Sequence, residues 1–80
     1  MNEEEERFLL EALAEFPEAV VTAFAAMDML PDTLTLELCM TALSFTRERL
    51  KTMTDPEQKK NLQHAEKVLM ARISEKEDEA

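Results

Sequence analysis

Residues 54–58, Thr54-Asp55-Pro56-Glu57-Gln58, carry the strongest local signal in this chain and mark the start of a helix. Two arrangements are open. Thr54 can cap the helix while Glu57 completes a capping box, or Asp55 can cap it with Pro56 in the first helical position and Gln58 completing the box. Either arrangement predicts a helix from 55 to about residue 75. Its apolar stripe is narrow enough to pack on one side only, and consists of Leu62, Ala65, Leu69 and Ile73, with Val68 beside them.

A second helix is predicted over residues 33–53, immediately before that start signal. Asp32 or Thr33 can provide its N-cap after the stop at Leu30-Pro31. Its apolar surface is wider than one neighbour needs, so the helix is either central in the fold or offers a face to a partner. The main stripe is Leu36, Cys39, Leu43, Leu50 and Met53, with Met40 alongside, and the second face is Leu38, Ala42 and Phe45.

The first helical stretch is predicted over residues 3–30, with Asn2 as its N-cap. Pro17 interrupts this stretch, and proline inside a helix removes a hydrogen bond and clashes with the preceding turn. The apolar stripe stays in phase across Pro17, which favours a kinked helix, although a break into two helices is the open alternative. The stripe consists of Leu9, Leu13, Phe16, Val20, Phe24 and Met27.

These patterns together predict an all-α fold for residues 1–80 as a single domain. The fold is a small bundle of three helices, or of four short helices if Pro17 breaks the first. Only a few residues separate the last two helices, so they should form an antiparallel hairpin in which Leu43 faces Leu69. The chain has no Gly, which argues against tight β-hairpins. The acidic ends, residues 1–5 and 75–80, are expected to fray.

One segment resembles a known family locally. Residues 6–20, which include Leu9-Leu10, Leu13 and the pair Phe16-Pro17, are similar to the Leu-rich, Phe-Pro-containing helix in the anticodon-binding helical domain of arginyl-tRNA synthetases. The resemblance implies that Phe16-Pro17 can lie within a packed helical bundle. Aromatic residues of that family's later helices and a basic RNA-contacting surface are missing from this sequence, so tRNA binding is not carried over.

The chain carries 18 acidic and 9 basic side chains, for a net charge of −9. The net charge opposes direct nucleic-acid binding. The charge is spread unevenly along the chain, which suits either attraction between helices or an acidic surface for a basic partner. The sequence contains no run of 18 apolar residues, so no membrane span is predicted. The Glu-rich start is unlike a signal peptide. The single cysteine suits a reducing compartment, so a cytoplasmic location is expected.

Side chains capable of chemistry are few and scattered. His64 is the only histidine and is expected to be solvated, while Cys39 is expected to act as a small core residue. The acidic runs Glu3–Glu6 and Glu77–Glu79 are expected to be solvated and do not resemble a calcium loop. We therefore expect no catalytic residue, metal, cofactor or small-molecule substrate.

The function expected from sequence is that of a non-enzymatic protein-interaction module, such as an adaptor, a chaperone-like protein or a regulatory subunit. It would bind another protein, or itself as a homodimer, through an apolar helical face. The alternative is an acidic protein that imitates nucleic acid and inhibits a DNA- or RNA-binding protein. The residues expected to bind the partner are Leu38, Met40, Phe45, Met29 and Met70.

Overall fold

The computed structural model describes residues 3, 4, 7, 11 and 14–79. From residue 16 onward it contains three helices: α1 (Pro17–Ala26), α2 (Leu36–Thr52) and α3 (Pro56–Glu79). Strands are absent from the described residues, and each helix packs against the other two. The predicted all-α bundle with a C-terminal helical hairpin is confirmed. Among the described residues, no helix is long and apolar enough to cross a membrane. The predicted N-cap Asn2 and the stripe residues Leu9 and Leu13 lie outside the described residues.

The chain breaks at Phe16, so the favoured prediction of a kinked helix through Pro17 is wrong and the open alternative is correct. Glu15 is helical, but Phe16 has φ −134° and ψ 61°, and Pro17 starts a new helix. Proline restricts the residue before it to non-helical conformations, and its fixed φ suits the first helical position. The carbonyl of Phe16 then accepts the first bond of α1, from the Val20 N–H at 3.1 Å.

The break changes which side of α1 faces the core. Val21, Thr22 and Ala25 are the buried residues of this helix. The predicted stripe is therefore wrong here: Phe16 is 61% exposed and Met27 is 56% exposed. The prediction carried one helical phase through residues 9–27, whereas a non-helical residue at position 16 resets that phase.

Helix α1 ends in a Schellman motif rather than continuing to residue 30. The Met29 N–H donates to the Phe24 carbonyl at 2.8 Å, and the Asp28 N–H donates to the Ala25 carbonyl at 3.1 Å. Asp28 adopts the left-handed conformation that this motif requires, with φ 57°. Because the chain has no Gly, an aspartate takes the position that glycine usually fills.

Helix α2 begins later than predicted, and its N-cap is Thr35. The Thr35 hydroxyl accepts a hydrogen bond from the Leu38 N–H at 3.1 Å, so the predicted caps Asp32 and Thr33 are wrong. Both precede the extended Thr35, whose β-region backbone is what an N-cap requires. The helix buries Cys39, Ala42 and Thr46.

Helix α3 begins with Asp55 as its N-cap, which is one of the two predicted arrangements. The Asp55 carboxylate accepts hydrogen bonds from the N–H groups of Glu57 at 2.9 Å and Gln58 at 3.4 Å, with Pro56 as the first helical residue. The helix continues to Glu79 rather than ending near residue 75. The expected fraying of this acidic end stays a prediction.

Helices α2 and α3 run antiparallel, as predicted. Arg47 contacts Glu66 and Met70, whereas Cys39, two turns earlier on α2, lies within the electrostatic reach of Arg72 and Lys76. The described core between the three helices is built mainly from small side chains, which allows close helix packing. Its buried apolar members are Val21, Ala25, Cys39, Ala42, Ala65 and Leu69.

Candidate functional site

The five residues predicted to bind a partner divide into two groups. Met29, Met40 and Met70 are 62%, 50% and 48% exposed. Leu38 and Phe45 are half-buried, and Leu38 packs against the core. The second face predicted for α2 therefore lies largely inside the bundle, since its third member, Ala42, is fully buried.

Met40 lies on the solvent-facing side of α2. It lines a shallow groove of ≈ 570 Å³ together with Leu36, Glu37, Thr41 and Ser44. Arg47 lies seven residues after Met40, and two helical turns of about 100° per residue bring it back to nearly the same side of the helix. Met40 and Arg47 thus form a single stripe along α2.

Arg47 joins this stripe to α3. Its Nε donates to Glu66 Oε2 at 3.0 Å, and its Nη2 donates to Met70 Sδ at 3.6 Å. The guanidinium therefore connects two residues one helical turn apart on the neighbouring helix. We call the surface formed by Met40, Arg47, Glu66 and Met70 the outer α2–α3 face. It combines exposed methionines with the Arg47–Glu66 ion pair, and the exposed Glu37 borders it beside Met40.

Phe45 lies elsewhere, in a cleft of ≈ 250 Å³ between the three helices. Residues of α1, α2 and α3 line this cleft, among them Ala23, Arg49 and Leu62. Phe45 is therefore held by neighbours from the same chain. The outer α2–α3 face does not include it.

Helix α3 also holds the loop between α1 and α2, residues 27–35. His64 Nε2 lies 2.8 Å from Asp28 Oδ1, and since a carboxylate only accepts, the proton of this bond is on the histidine nitrogen. Arg72 donates to the Pro31 carbonyl at 2.6 Å and to the Leu30 carbonyl at 3.3 Å. His64 is exposed, as predicted, but no local pattern predicts its contact with Asp28.

Two buried threonines join α1 to α2. The hydroxyl oxygens of Thr22 and Thr46 are 2.9 Å apart, and each also lies 2.8 Å from a carbonyl four residues earlier on its own helix, that of Glu18 or Ala42. Sequence reasoning missed this pair because threonine counts as polar in an apolar stripe. It leaves no buried polar side-chain atom unsatisfied among the described residues.

The described residues include no metal centre, because nowhere do three His, Cys, Asp or Glu side chains lie together. Cys39 is buried, as predicted. Burial raises the pKa of its thiol above the ordinary value of 9.0, although the positive charges of Lys76 and Arg72 act in the opposite direction. At neutral pH the thiol is therefore protonated and a weak nucleophile.

Comparisons of the chain with protein-family models, with curated proteins and with solved structures found no match. The resemblance of residues 6–20 to a helix of arginyl-tRNA synthetases stays local, and no activity is carried over from it. The surface and the contacts described above are therefore the basis for a functional proposal.

Proposed function

We propose that this chain is a non-enzymatic, acidic helical module that binds a protein partner or another copy of itself through an apolar helical face. The roles that fit are those of an adaptor, a chaperone-like protein or a regulatory subunit. The observation behind this proposal is that Met40 and Met70, on neighbouring helices, expose about half of their surfaces to solvent at 50% and 48%.

The composition of the outer α2–α3 face supports a binding role. Methionine and arginine are enriched at protein interfaces, where flexible thioether side chains adapt to varied partner surfaces. Arg47 and Glu66 border the methionines and already satisfy each other at 3.0 Å. Covering the two methionines would therefore remove apolar surface from water, while Arg47 and Glu66 stay paired with each other.

The placement of the reactive side chains supports the non-enzymatic part of the proposal. His64 and Arg72 hold the α1–α2 loop through Asp28 and two backbone carbonyls. Cys39 is buried with a raised thiol pKa. Each of these three side chains is therefore either buried or engaged in a contact that holds the fold together. A free, buried cysteine also suits the proposed cytoplasmic location.

Imitation of nucleic acid is the alternative proposal, and the charge distribution favours it. Residues 1–35 contain nine acidic side chains and one basic side chain. Two of those acids are engaged within the chain, since Asp28 pairs with His64 and Asp32 lies 3.5 Å from Arg72. Glu3, Glu4, Glu11, Glu15 and Glu18 remain as described carboxylates that a basic partner could contact.

The two proposals differ in how binding responds to salt and to substitution. We would capture partners from a lysate of the source cell with the wild-type chain, with Met40→Gln/Met70→Gln and with Glu15→Gln/Glu18→Gln, at low and high salt. Binding through an apolar face is expected to survive high salt and to be lost only in the methionine variant. Capture that fades steeply with salt and depends on Glu15 and Glu18 would instead favour the nucleic-acid mimic.

A further inference from the structure

The outer α2–α3 face lies on the side of the helix pair that faces away from the α1–α2 loop. Arg72 contacts that loop, and Arg72 follows Met70 by two residues on α3. Two residues correspond to about 200° of rotation around a helix, so Met70 points away from the loop. Asp28 and Met29 belong to the loop side, whereas Met40, Arg47, Glu66 and Met70 belong to the other side.

The charges of the chain are divided along the same lines. Residues 36–79, which contain α2 and α3, have nine acidic and eight basic side chains, whereas residues 1–35 have nine acidic and one basic. Nearly all of the net charge of −9 therefore comes from the first 35 residues. Two copies that approach through residues 1–35 repel each other, but two that approach through α2 and α3 meet with almost balanced charge.

We infer that the outer α2–α3 face binds a second copy of this chain. The inference rests on the proposed function and names its partner. A basic partner would be drawn to residues 1–35 instead, because the charge of α2 and α3 offers it little attraction. A surface of balanced charge allows a copy of the same acidic chain to approach with little repulsion.

The face is also self-complementary in chemistry. In a two-fold dimer the same patch meets itself, so each contact occurs twice. Methionines of one copy would cover methionines of the other, and the Arg47–Glu66 pair of each copy offers one cation and one anion to its counterpart. The result is a four-helix arrangement with α2 and α3 from both copies at its centre.

Sedimentation equilibrium of the full chain over a range of micromolar concentrations tests this inference. We expect a reversible monomer–dimer equilibrium that persists or tightens at high salt, because salt screens the repulsion between the acidic segments. Met40→Gln/Met70→Gln preserves side-chain size and helix propensity and should raise the dimer dissociation constant about 100-fold, since the dimer loses four buried methionines. The matched control, Met27→Gln/Met29→Gln, changes two methionines outside this face that are 56% and 62% exposed, and should leave the constant unchanged.

Three results would overturn the inference. They are a wild-type chain that is monomeric at every concentration, a dimer that dissociates at high salt, and equal weakening by the Met27/Met29 control. The first result requires no variant, so it does not depend on the variants folding. A strict monomer would refute the second copy alone, whereas the salt and substitution pattern of partner capture tests the proposed function separately.

Discussion

The hydroxyl oxygens of Thr22 on α1 and Thr46 on α2 lie 2.9 Å apart in the buried core. Each hydroxyl has one proton, and together they have three short contacts to share, because the carbonyls of Glu18 and Ala42 each lie 2.8 Å from one of them. One hydroxyl therefore donates to the other, and the second donates to a carbonyl of its own helix. This pair is a polar link between two helices in a core of small apolar residues.

Replacing both threonines should reduce the unfolding free energy by less than the sum of the two single replacements. Thr22→Val or Thr46→Val leaves the remaining hydroxyl with its own helix carbonyl, so we expect each variant to lose about 1 kcal/mol of unfolding free energy. The double variant should lose about 0.5–1 kcal/mol less than the sum, and that difference is the energy of the hydroxyl–hydroxyl bond. Urea denaturation of the four proteins measures it. Strictly additive losses would show that the two hydroxyls do not interact.

Asp28 should tolerate glycine better than alanine. Its φ of 57° is unfavourable for any residue with a β-carbon, and its carboxylate also contacts His64 at 2.8 Å. Asp28→Ala and Asp28→Gly both lose the histidine contact, but only alanine keeps the left-handed strain, so it should be less stable than the glycine variant by about 1 kcal/mol. Asp28→Asn should stay close to wild type, because asparagine accepts this conformation. Thermal melts that rank alanine equal to or above glycine would contradict the Schellman geometry.

Burial predicts how Cys39 behaves with pH. Its thiol pKa is raised above 9.0 in the folded chain, so the unfolded chain ionises first as the pH increases. The stability that the neutral thiol contributes is complete below pH 9.0 and is lost as the pH rises through the raised folded value. We expect wild-type unfolding free energy to fall more than that of Cys39→Ala across this alkaline range. The alanine variant controls for every other effect of alkaline solution on the chain. Parallel pH profiles for the two proteins would contradict burial of the thiol.

Two leucines predicted to face each other should differ in their contribution to stability. Leu69 is fully buried, whereas Leu43 is half-buried and packs against the edge of the same core. Leu69→Ala should therefore cost about 3–5 kcal/mol and Leu43→Ala about 1–2 kcal/mol. Denaturant titrations of both variants measure these losses. A larger loss for Leu43→Ala would mean that the hairpin has a different register.

The sequence predicted features that depend on local chemistry. The Asp55-Pro56 helix start and the burial of Cys39 were expected because a cap and an apolar stripe are visible within a few residues. Met29, Met40 and Met70, the methionines expected to bind a partner, are exposed. Such predictions can be made without knowing how the helices pack against one another.

The features that sequence reasoning missed depend on long-range contacts or on a single backbone angle. One non-helical residue, Phe16, reset the phase of α1 and moved its buried face to Val21 and Ala25. The contact of His64 with Asp28 joins residues on α3 and in the α1–α2 loop, and no local pattern signals it. Leu38 and Phe45 were assigned to an open face because the position of α1 was not known.

Methionine methyl NMR of the wild-type chain at increasing concentration tests the central claim, that the outer α2–α3 face binds a second copy of the chain, most directly. The account predicts that the methyl signals of Met40 and Met70 shift with concentration while those of Met27 and Met29, also exposed but outside this face, stay in place. Shifts confined to Met27 and Met29, or signals that do not change at any concentration, would contradict it.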